Sequence, residues 1–346
     1  MIRKGKKVLY FCSSSVFGGA ERFIETAVRH DENSAIYFLN SGHFSERCKD
    51  QGFDVYHSNN KVRLSNPFSW LRFQFEFHTF LKKSDFTHVH LTMAYSQIFA
   101  SVASRLTGLK TVWFQHGPIG GVIDKVASKL PYDFMIFNSE YTRKLHIDVC
   151  GEIKSPFKIL RLATDSNIDK IEVNRIKSEY SSKRILLSMG RITRFKCFDV
   201  VIKAMVSCQN SILLILGKPS TDDDKAYLKE LVSLVDKLSL SESVKFLGFK
   251  ENTFDYLAAS EVFIHSSQYP EPFGLVVAEA ISAGTFVLAP KLGGVIDQVK
   301  PGINGDFYNS IEELQSKLSG SVEVLDDSSS SYGVEDMMNE INSTYI

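Results

Sequence analysis

The feature that most constrains this chain is a rhythm that starts twice. Short runs rich in β-branched and aromatic residues, KVLYFCSS, AIYFLN, THVHL, TVWFQH, FMIFNS and FKILR, alternate with helical stretches such as AERFIETAVRH and PFSWLRFQFEFHTFLKK. A second series follows in RILLSMG, ILLILG, VKFLG, VFIHSS and TFVLAP, again separated by helical segments. Runs of this kind read as strands. Strand–helix alternation implies a parallel sheet covered on both faces, so two series imply two doubly wound α/β domains. Polar NIDKIEVNRIKSEYSSK separates the series and puts the boundary near residues 165–180, giving an N-terminal domain over 1–168 and a second over 169–330. After low-complexity LDDSSSSYG, residues 331–346 carry a short helix, VEDMMNEINSTYI. Ligands in open parallel sheets bind beyond the carboxyl ends of the strands, so the two domains are expected to face a cleft lined by those loops.

Composition fits this reading. A chain of 346 residues with 44% hydrophobic content fills two cores. Five scattered cysteines (Cys12, Cys48, Cys150, Cys197, Cys208), free of CxxC pairing, argue against a disulfide scaffold or zinc site and suit a reducing compartment. The opening MIRKGKKVLYFCSS reads as a strand rather than a signal peptide, and no apolar run reaches the length of a membrane span. The expected location is cytoplasmic. A net charge of zero hides an asymmetry: residues 1–165 carry 22 Lys and Arg against 15 Asp and Glu, and residues 166–346 carry 18 against 25. A basic first half suits an anionic lipid surface or a phosphorylated substrate as well as it suits ordinary solvated faces. With Arg3, Lys4, Lys6 and Lys7 beside the aromatic-rich FSWLRFQFEFHTFLKK helix, it carries an expectation of peripheral contact with the inner face of an anionic membrane. No nucleic-acid partner is expected.

Several strand-end loops hold candidate chemistry. In SSSVFGGAER, Gly18 and Gly19 precede a helix, where backbone N–H groups and the helix dipole favour an anion, although a tight turn uses the same residues. TVWFQH ends in His116 with glycines beside it, placed either to meet a ligand or to fill the core. His88 and His90 alternate onto one strand face as core or site lining. In GRITRFK, Gly190, Arg191 and Lys196 follow a strand, putting two cations where a polyanion would sit. Asp222 and Asp224 form a nominal DxD pair, but at a helix start, where acids suit the dipole better than a metal; no metal site is expected. Residues 271–279, EPFGLVVAE, place Glu271 in a loop and Glu279 about two turns along an otherwise apolar helix. A carboxylate in such company needs a hydroxyl or cationic partner.

Taken together and in order, SSSVFGGAER, QHG, GRITRFK, FLGF, EPFGLVVAE and LGGVIDQV resemble the retaining GT-B glycosyltransferases related to glycogen and sucrose synthases, which use nucleotide-diphosphate sugars. The resemblance covers roughly residues 8–310 and rests most on the E-x7-E spacing with the upstream G-R-x4-K. It implies a GT-B fold of two Rossmann-like domains, with the last helix crossing back to the first. It also implies a UDP- or GDP-linked donor, a glycan or lipid-linked acceptor, a place in cell-surface polysaccharide or glycoconjugate synthesis, and no cofactor or metal.

By that resemblance Glu271 contacts the donor sugar hydroxyls and Glu279 the ribose. Arg191 and Lys196, after Gly190, neutralise the diphosphate. Gly18 and Gly19 close over the diphosphate, and His116 contacts the sugar. The backbone of Phe273, Gly274 and Leu275 touches sugar and phosphate, and Gly248 and Phe249 form the base-contacting turn. The chain departs from the pattern at Cys197, where glycine is frequent, at ILGKP, and at Asp297, where glutamate is common. Two rivals are a non-catalytic partner subunit that binds a sugar nucleotide, and a sugar-nucleotide epimerase on the same fold.

Overall fold

A computed structural model describes residues 6–14, 18–59, 61–320 and 332–345. The chain divides into two compact units, Met1–Thr164 with Val334–Ile346, and Asp165–Gly333. Strands in unit 1 are β1 (Val8–Cys12), β2 (Ser34–Phe38), β3 (Val55–His57), β4 (His88–Thr92), β5 (Lys110–Gln115), β6 (Phe134–Phe137) and β7 (Phe157–Ile159). Between them run α1 (Gly19–Arg29), α2 (His43–Asp50), α3 (Pro67–Lys83), α4 (Met93–Thr107), α5 (Val122–Ala127) and α6 (Glu140–Cys150). Unit 2 opens with α7 (Lys170–Glu179) and holds β8 (Arg184–Met189), β9 (Ser211–Leu216), β10 (Val244–Gly248), β11 (Val262–Ile264), β12 (Phe286–Pro290) and β13 (Gly305–Tyr308). Its other helices are α8 (Phe198–Ala204), α9 (Asp222–Lys237), α10 (Thr253–Ala259), α11 (Leu275–Ser282) and α12 (Ile311–Ser319); α13 (Val334–Asn342) follows.

Both sheets are parallel and doubly wound, in the orders β3-β2-β1-β4-β5-β6-β7 and β10-β9-β8-β11-β12-β13. Each is a Rossmann-like sheet. The physical reason is visible in unit 2, where successive strand residues feed opposite cores. Leu186, Leu213, Ile215 and Val262 enter one cluster, and Leu187, Leu214, Leu216 and Phe263 the other. Burial on both faces makes these strands read as continuous apolar runs. Two strands escape the sequence pattern, β3 and β13, and both lie at sheet edges. VYH and GDFY are three and four residues long and only partly buried, so neither gives an apolar run to detect.

The break between units falls at Thr164 and Asp165, a few residues ahead of 168/169. Asp169 is tied into unit 2: its carboxylate caps α7 by accepting from Ile171 N at 2.8 Å, and its N–H donates to Asp255 at 2.7 Å. Helix α13 belongs to unit 1. Met337 and Ile341 are buried there, Ala163 N donates to Met337 Sδ at 3.3 Å, and Tyr345 places its hydroxyl 2.7 Å from His90 Nδ1. Among the described residues no helix is long and apolar enough to cross a membrane. Residues 15–17, Arg3, Lys4 and most of the LDDSSSSYG segment lie outside the described residues.

Candidate functional site

In unit 2 the order of strands reverses between β8 and β11, the point where such sheets open for ligands. The loops that follow these two strands therefore meet, although their key residues lie 75 apart in sequence. Gly190 leaves β8 with φ +151, and a Cβ there would press on the Lys196 side chain at 3.2 Å. At the end of β9, Gly217 (φ +145) passes so close that a Cβ would stand 1.8 Å from the Gly190 carbonyl oxygen. Only glycine fits there. The β8 loop then makes a short 3-10 turn, Arg194–Lys196, and Cys197 takes the left-handed conformation (φ +49) to enter α8. Seryl hydroxyls of the β11 loop staple it down: Ser266 donates to the Lys196 carbonyl at 2.6 Å and Ser267 to that of Phe195 at 3.2 Å. Phe195 stacks on Tyr269 at 5.2 Å.

This stapling brings Lys196 Nζ to 2.7 Å from Glu271 Oε1, with the two side chains 18% and 13% exposed. The same oxygen stands 3.5 Å from His265 Nε2. Burial works to raise the Glu271 carboxyl, but His265, the Lys196 ammonium and hydrogen bonds from Lys196 and Ser267 outweigh it and hold it below the usual glutamate range. Burial lowers His265 to about 4, so it is neutral at physiological pH. Glu271 is thus an ionised acceptor and Lys196 its counter-ion. Arg191 lies exposed on the same loop.

The Glu271 loop is backed by the 3-10 turn Gly293–Asp297. Gly294 N donates to the Glu271 carbonyl at 2.9 Å, and a Cβ on Gly293 or Gly294 would fall 2.4 or 2.2 Å from the carbonyl oxygens of Glu271 and Pro272. Gln298, fully buried, donates to the Phe273 carbonyl. Asp297 itself lies exposed in the turn. Phe273 is buried, Gly274 is left-handed (φ +84), and α11 starts at Leu275, so a helix N-terminus stands beside the Glu271 loop. Glu279 is 2% exposed along α11. At the end of β10, the Gly248 carbonyl accepts from Gly217 N at 2.8 Å, and Phe249 lies 61% exposed with Lys218 Nζ 4.9 Å from its ring centroid.

Unit 1 is built differently. Gly18 caps α1 and Gly19 begins it, but the anion that this helix N-terminus meets is the chain's own Glu21. Glu21 is buried, and burial raises its carboxyl, against hydrogen bonds from its own N–H, the Ser14 hydroxyl and Gly18 N. His116 follows β5 directly and packs on Phe114 at 3.7 Å and Phe23 at 4.9 Å between ring centroids. Among the described residues neither ring nitrogen has a hydrogen-bond partner. Burial, with His90 second, lowers this imidazole well below the usual histidine range, so it is neutral. His88 and His90 are core residues, bound to Thr87 Oγ1 at 2.8 Å and to Tyr345. At the end of β4, Met93 holds a strained left-handed backbone (φ +69) beside Gly117.

Asp224 completes a capping box with Thr221, accepting from Ser220 N and Thr221 N at 3.0 Å each, and Asp222 pairs with Lys225 at 2.8 Å. Among the described residues no group of three His, Cys, Asp or Glu side chains is placed to hold a metal ion. Sequence reasoning placed Lys196 and Glu271 in one site without pairing them. It passed over His265, Gly217, Gln298 and Glu21. The signal for His265 was present, since it ends strand VFIHSS as His116 ends TVWFQH.

Residues 169–319 match the protein family described as "Glycosyl transferases group 1". An uncharacterized glycosyltransferase of Methanocaldococcus jannaschii is 33% identical over 142 residues, covering 40% of this chain and 35% of that protein. A D-inositol 3-phosphate glycosyltransferase of Mycobacterium sp. strain KMS is 32% identical over 145 residues, covering 38% and 32%. The matched stretch spans about a third of the length of these curated relatives. Among solved structures, Anabaena HepE in complex with UDP and glucose matches with a TM-score of 0.81 over 98% of this chain and 99% of that one, at 20% identity. The fold is GT-B.

Proposed function

We propose that this chain is a glycosyltransferase of the group 1 type. It moves a sugar from a nucleotide-diphosphate donor to a glycan or lipid-linked acceptor, with retention of configuration and without a divalent metal. The observation that carries the proposal is the Lys196–Glu271 pair at the strand-order reversal of unit 2. A cation and an ionised acceptor side by side suit a ligand that is anionic at one end and hydroxyl-rich at the other. UDP is the favoured nucleotide, because a protein of the same fold is known in complex with UDP and glucose.

Under this reading Lys196 serves two partners in turn: Glu271 in the free protein, and the diphosphate once donor is bound. Glu271 then turns to the sugar hydroxyls. Arg191 adds a bidentate fork to the phosphate oxygens, and the α11 N-terminus adds its dipole. Glu279 takes the ribose, and the base lies against Phe249. This reading gives His116, which is neutral and has no ring hydrogen-bond partner among the described residues, a hydrogen bond to the sugar. The bond from the anomeric carbon to the phosphate oxygen breaks, and one to the acceptor oxygen forms on the same face. The acceptor proton passes to the departing diphosphate, whose charge Lys196 and Arg191 stabilise as it develops.

A thermal-shift panel of UDP-, GDP- and ADP-sugars, followed by turnover with acceptors in excess EDTA, tests this. The expected result is a raised midpoint with a UDP-sugar and acceptor-dependent turnover that EDTA leaves intact. Donor consumption without acceptor would mark an epimerase, and binding without turnover a non-catalytic subunit. Activity restored by Mn²⁺ after EDTA would overturn the metal-free account.

A further inference from the structure

Helix α3 carries two opposite faces. Phe73, Phe77 and Leu81 are buried, the two rings against Phe11 and Tyr37, and Trp70 Nε1 donates to the Ile98 carbonyl at 3.2 Å. The outer face is also apolar. Phe68 is 84% exposed, Phe75 77% and Leu71 58%, and Leu64, just before the helix, is 37% exposed. Spacings of three and four residues put Phe68, Leu71 and Phe75 on one helical row, which Lys82 extends by two more turns, and Leu64 lies in the turn just ahead of it. A monomeric protein gains nothing from two phenylalanines held in water on the same stripe.

The charges around the stripe identify what covers it. Residues 61–83 contain Lys61, Arg63, Arg72, Lys82 and Lys83, all exposed, and none of the five side chains makes an ion pair among the described residues. The segment's one carboxylate, Glu76, is turned inward, accepting from Asn59 N at 2.7 Å. A second copy of the chain fits poorly, because two-fold pairing of this face would set five cations against five. An anionic lipid surface satisfies both halves, taking the rings into the headgroup–acyl boundary and the cations at the phosphates. Lys6 and Lys7 are already paired, with Asp31 at 3.0 Å and Asp85 at 2.9 Å, and are not counted in this surface.

We propose that the Leu64, Phe68, Leu71 and Phe75 stripe, with its ring of five cations, docks unit 1 on an anionic membrane. Helix α3 starts after β3, at the carboxyl end of the unit 1 sheet, so docking brings that end toward the lipid. A lipid-linked acceptor would be met there. The docking itself does not rest on the donor-site reading.

Flotation with vesicles of phosphatidylcholine alone, or containing phosphatidylglycerol, tests it at about 0.1 M and about 1 M salt, where the screening length falls from about 10 Å to about 3 Å. Wild-type protein is expected on the anionic vesicles only, and to leave them at high salt. The Phe68→Ser/Phe75→Ser double variant is expected to bind roughly tenfold more weakly or worse, and Arg72→Glu/Lys82→Glu to lose the salt-sensitive part. Both variants touch solvent-facing positions, and an unchanged UDP-sugar thermal shift shows that the fold and donor site survive. No binding of wild-type protein to anionic vesicles, or binding that both variants retain, overturns the proposal. So does sedimentation velocity showing a wild-type dimer that Phe68→Ser/Phe75→Ser abolishes, which would assign the stripe to a second copy.

Discussion

The two units share a sheet plan and differ in how they handle polar groups. Unit 2 holds its candidate site with charges, Lys196 against Glu271, steadied by hydroxyls and by glycine contacts. Unit 1 holds its own with neutral imidazoles in an aromatic core. Of nine histidines, only His265 lies in unit 2. His90, His116 and His146 are all buried and all lowered chiefly by burial, His90 to about 3 and His146 to about 4. The same fold therefore fixes its buried polar groups by two electrostatic routes, and these respond differently to acid, to packing and to charge removal.

Acid should separate the units most. The unfolded chain protonates each histidine near 6.5, while folded His90, His116 and His146 refuse the proton far below that. Their stabilising contribution is full above about pH 6.5 and is lost as pH falls. By about pH 5 the loss amounts to about 2 kcal/mol each for His90 and His146, with His116 acting in the same direction, against a typical stability of about 5–15 kcal/mol. Glu21 works the other way, since its raised carboxyl favours the protonated folded form, but one carboxyl does not offset three imidazoles. Unit 2 loses only the share of His265 in this range. Trp70 and Trp113 both lie in unit 1, so tryptophan emission should shift at a higher pH than the far-ultraviolet circular dichroism of the whole chain. Coincident transitions would erase the contrast.

Glycine replacement is the next largest effect. Gly217→Ala drives a methyl into the Gly190 carbonyl and should cost unit 2 more than about 3 kcal/mol in urea denaturation. Gly19→Ala meets nothing within 4 Å at the start of a helix and should change unit 1 by less than about 0.5 kcal/mol. Comparable losses would mean that the glycines of the two units are not used differently.

Charge removal comes third. Lys196→Met strands a largely buried carboxylate and should cost up to about 3 kcal/mol, whereas Lys196→Met with Glu271→Leu should regain most of that stability. Neither should restore turnover, which is expected to fall on the order of 10²-fold or more. Exposed Arg191→Ala should match that loss of kcat/KM with almost no change in stability, and Arg191→Lys should recover only part of it. If the double variant is no more stable than the single, Lys196 is not the counter-ion that Glu271 depends on. The smallest effect belongs to Tyr345→Phe, which removes the hydroxyl from His90 Nδ1 and should cost about 1 kcal/mol, visible in tryptophan emission alone.

The same contrast decides what could be read from the sequence. Unit 2 was legible because its chemistry is charged and out of place: Glu279 in an apolar helix and two cations after a strand stand out. What remained hidden was the pairing of Lys196 with Glu271, which depends on β8 and β11 being sheet neighbours and not on any local pattern. In unit 1 the glycines at the start of α1 were visible, while Glu21, two residues further on, was passed over. Its burial comes from tertiary packing. Strands β3 and β13 gave no signal because edge positions need few apolar residues. The aromatic α3 was recognised as a helix, yet only its packing on α4 and β1 shows which rings face out.

The return of α13 to unit 1 also sets an order of assembly. Unit 2 is one continuous segment, complete once residue 333 has been made; unit 1 is interrupted by it and waits for Met337, Ile341 and Tyr345 to cover Tyr10, His90 and Ala163. On a ribosome adding about 5–20 residues per second, the second half of the chain is therefore expected to reach its final state before the first, against the usual amino-to-carboxyl sequence. A segment of residues 165–333 should fold when expressed by itself, and a segment of residues 1–164 should be protected from proteolysis only when residues 334–346 are supplied in trans. Equal protection of residues 1–164 with and without that peptide would show the final helix to be a late ornament on a finished domain.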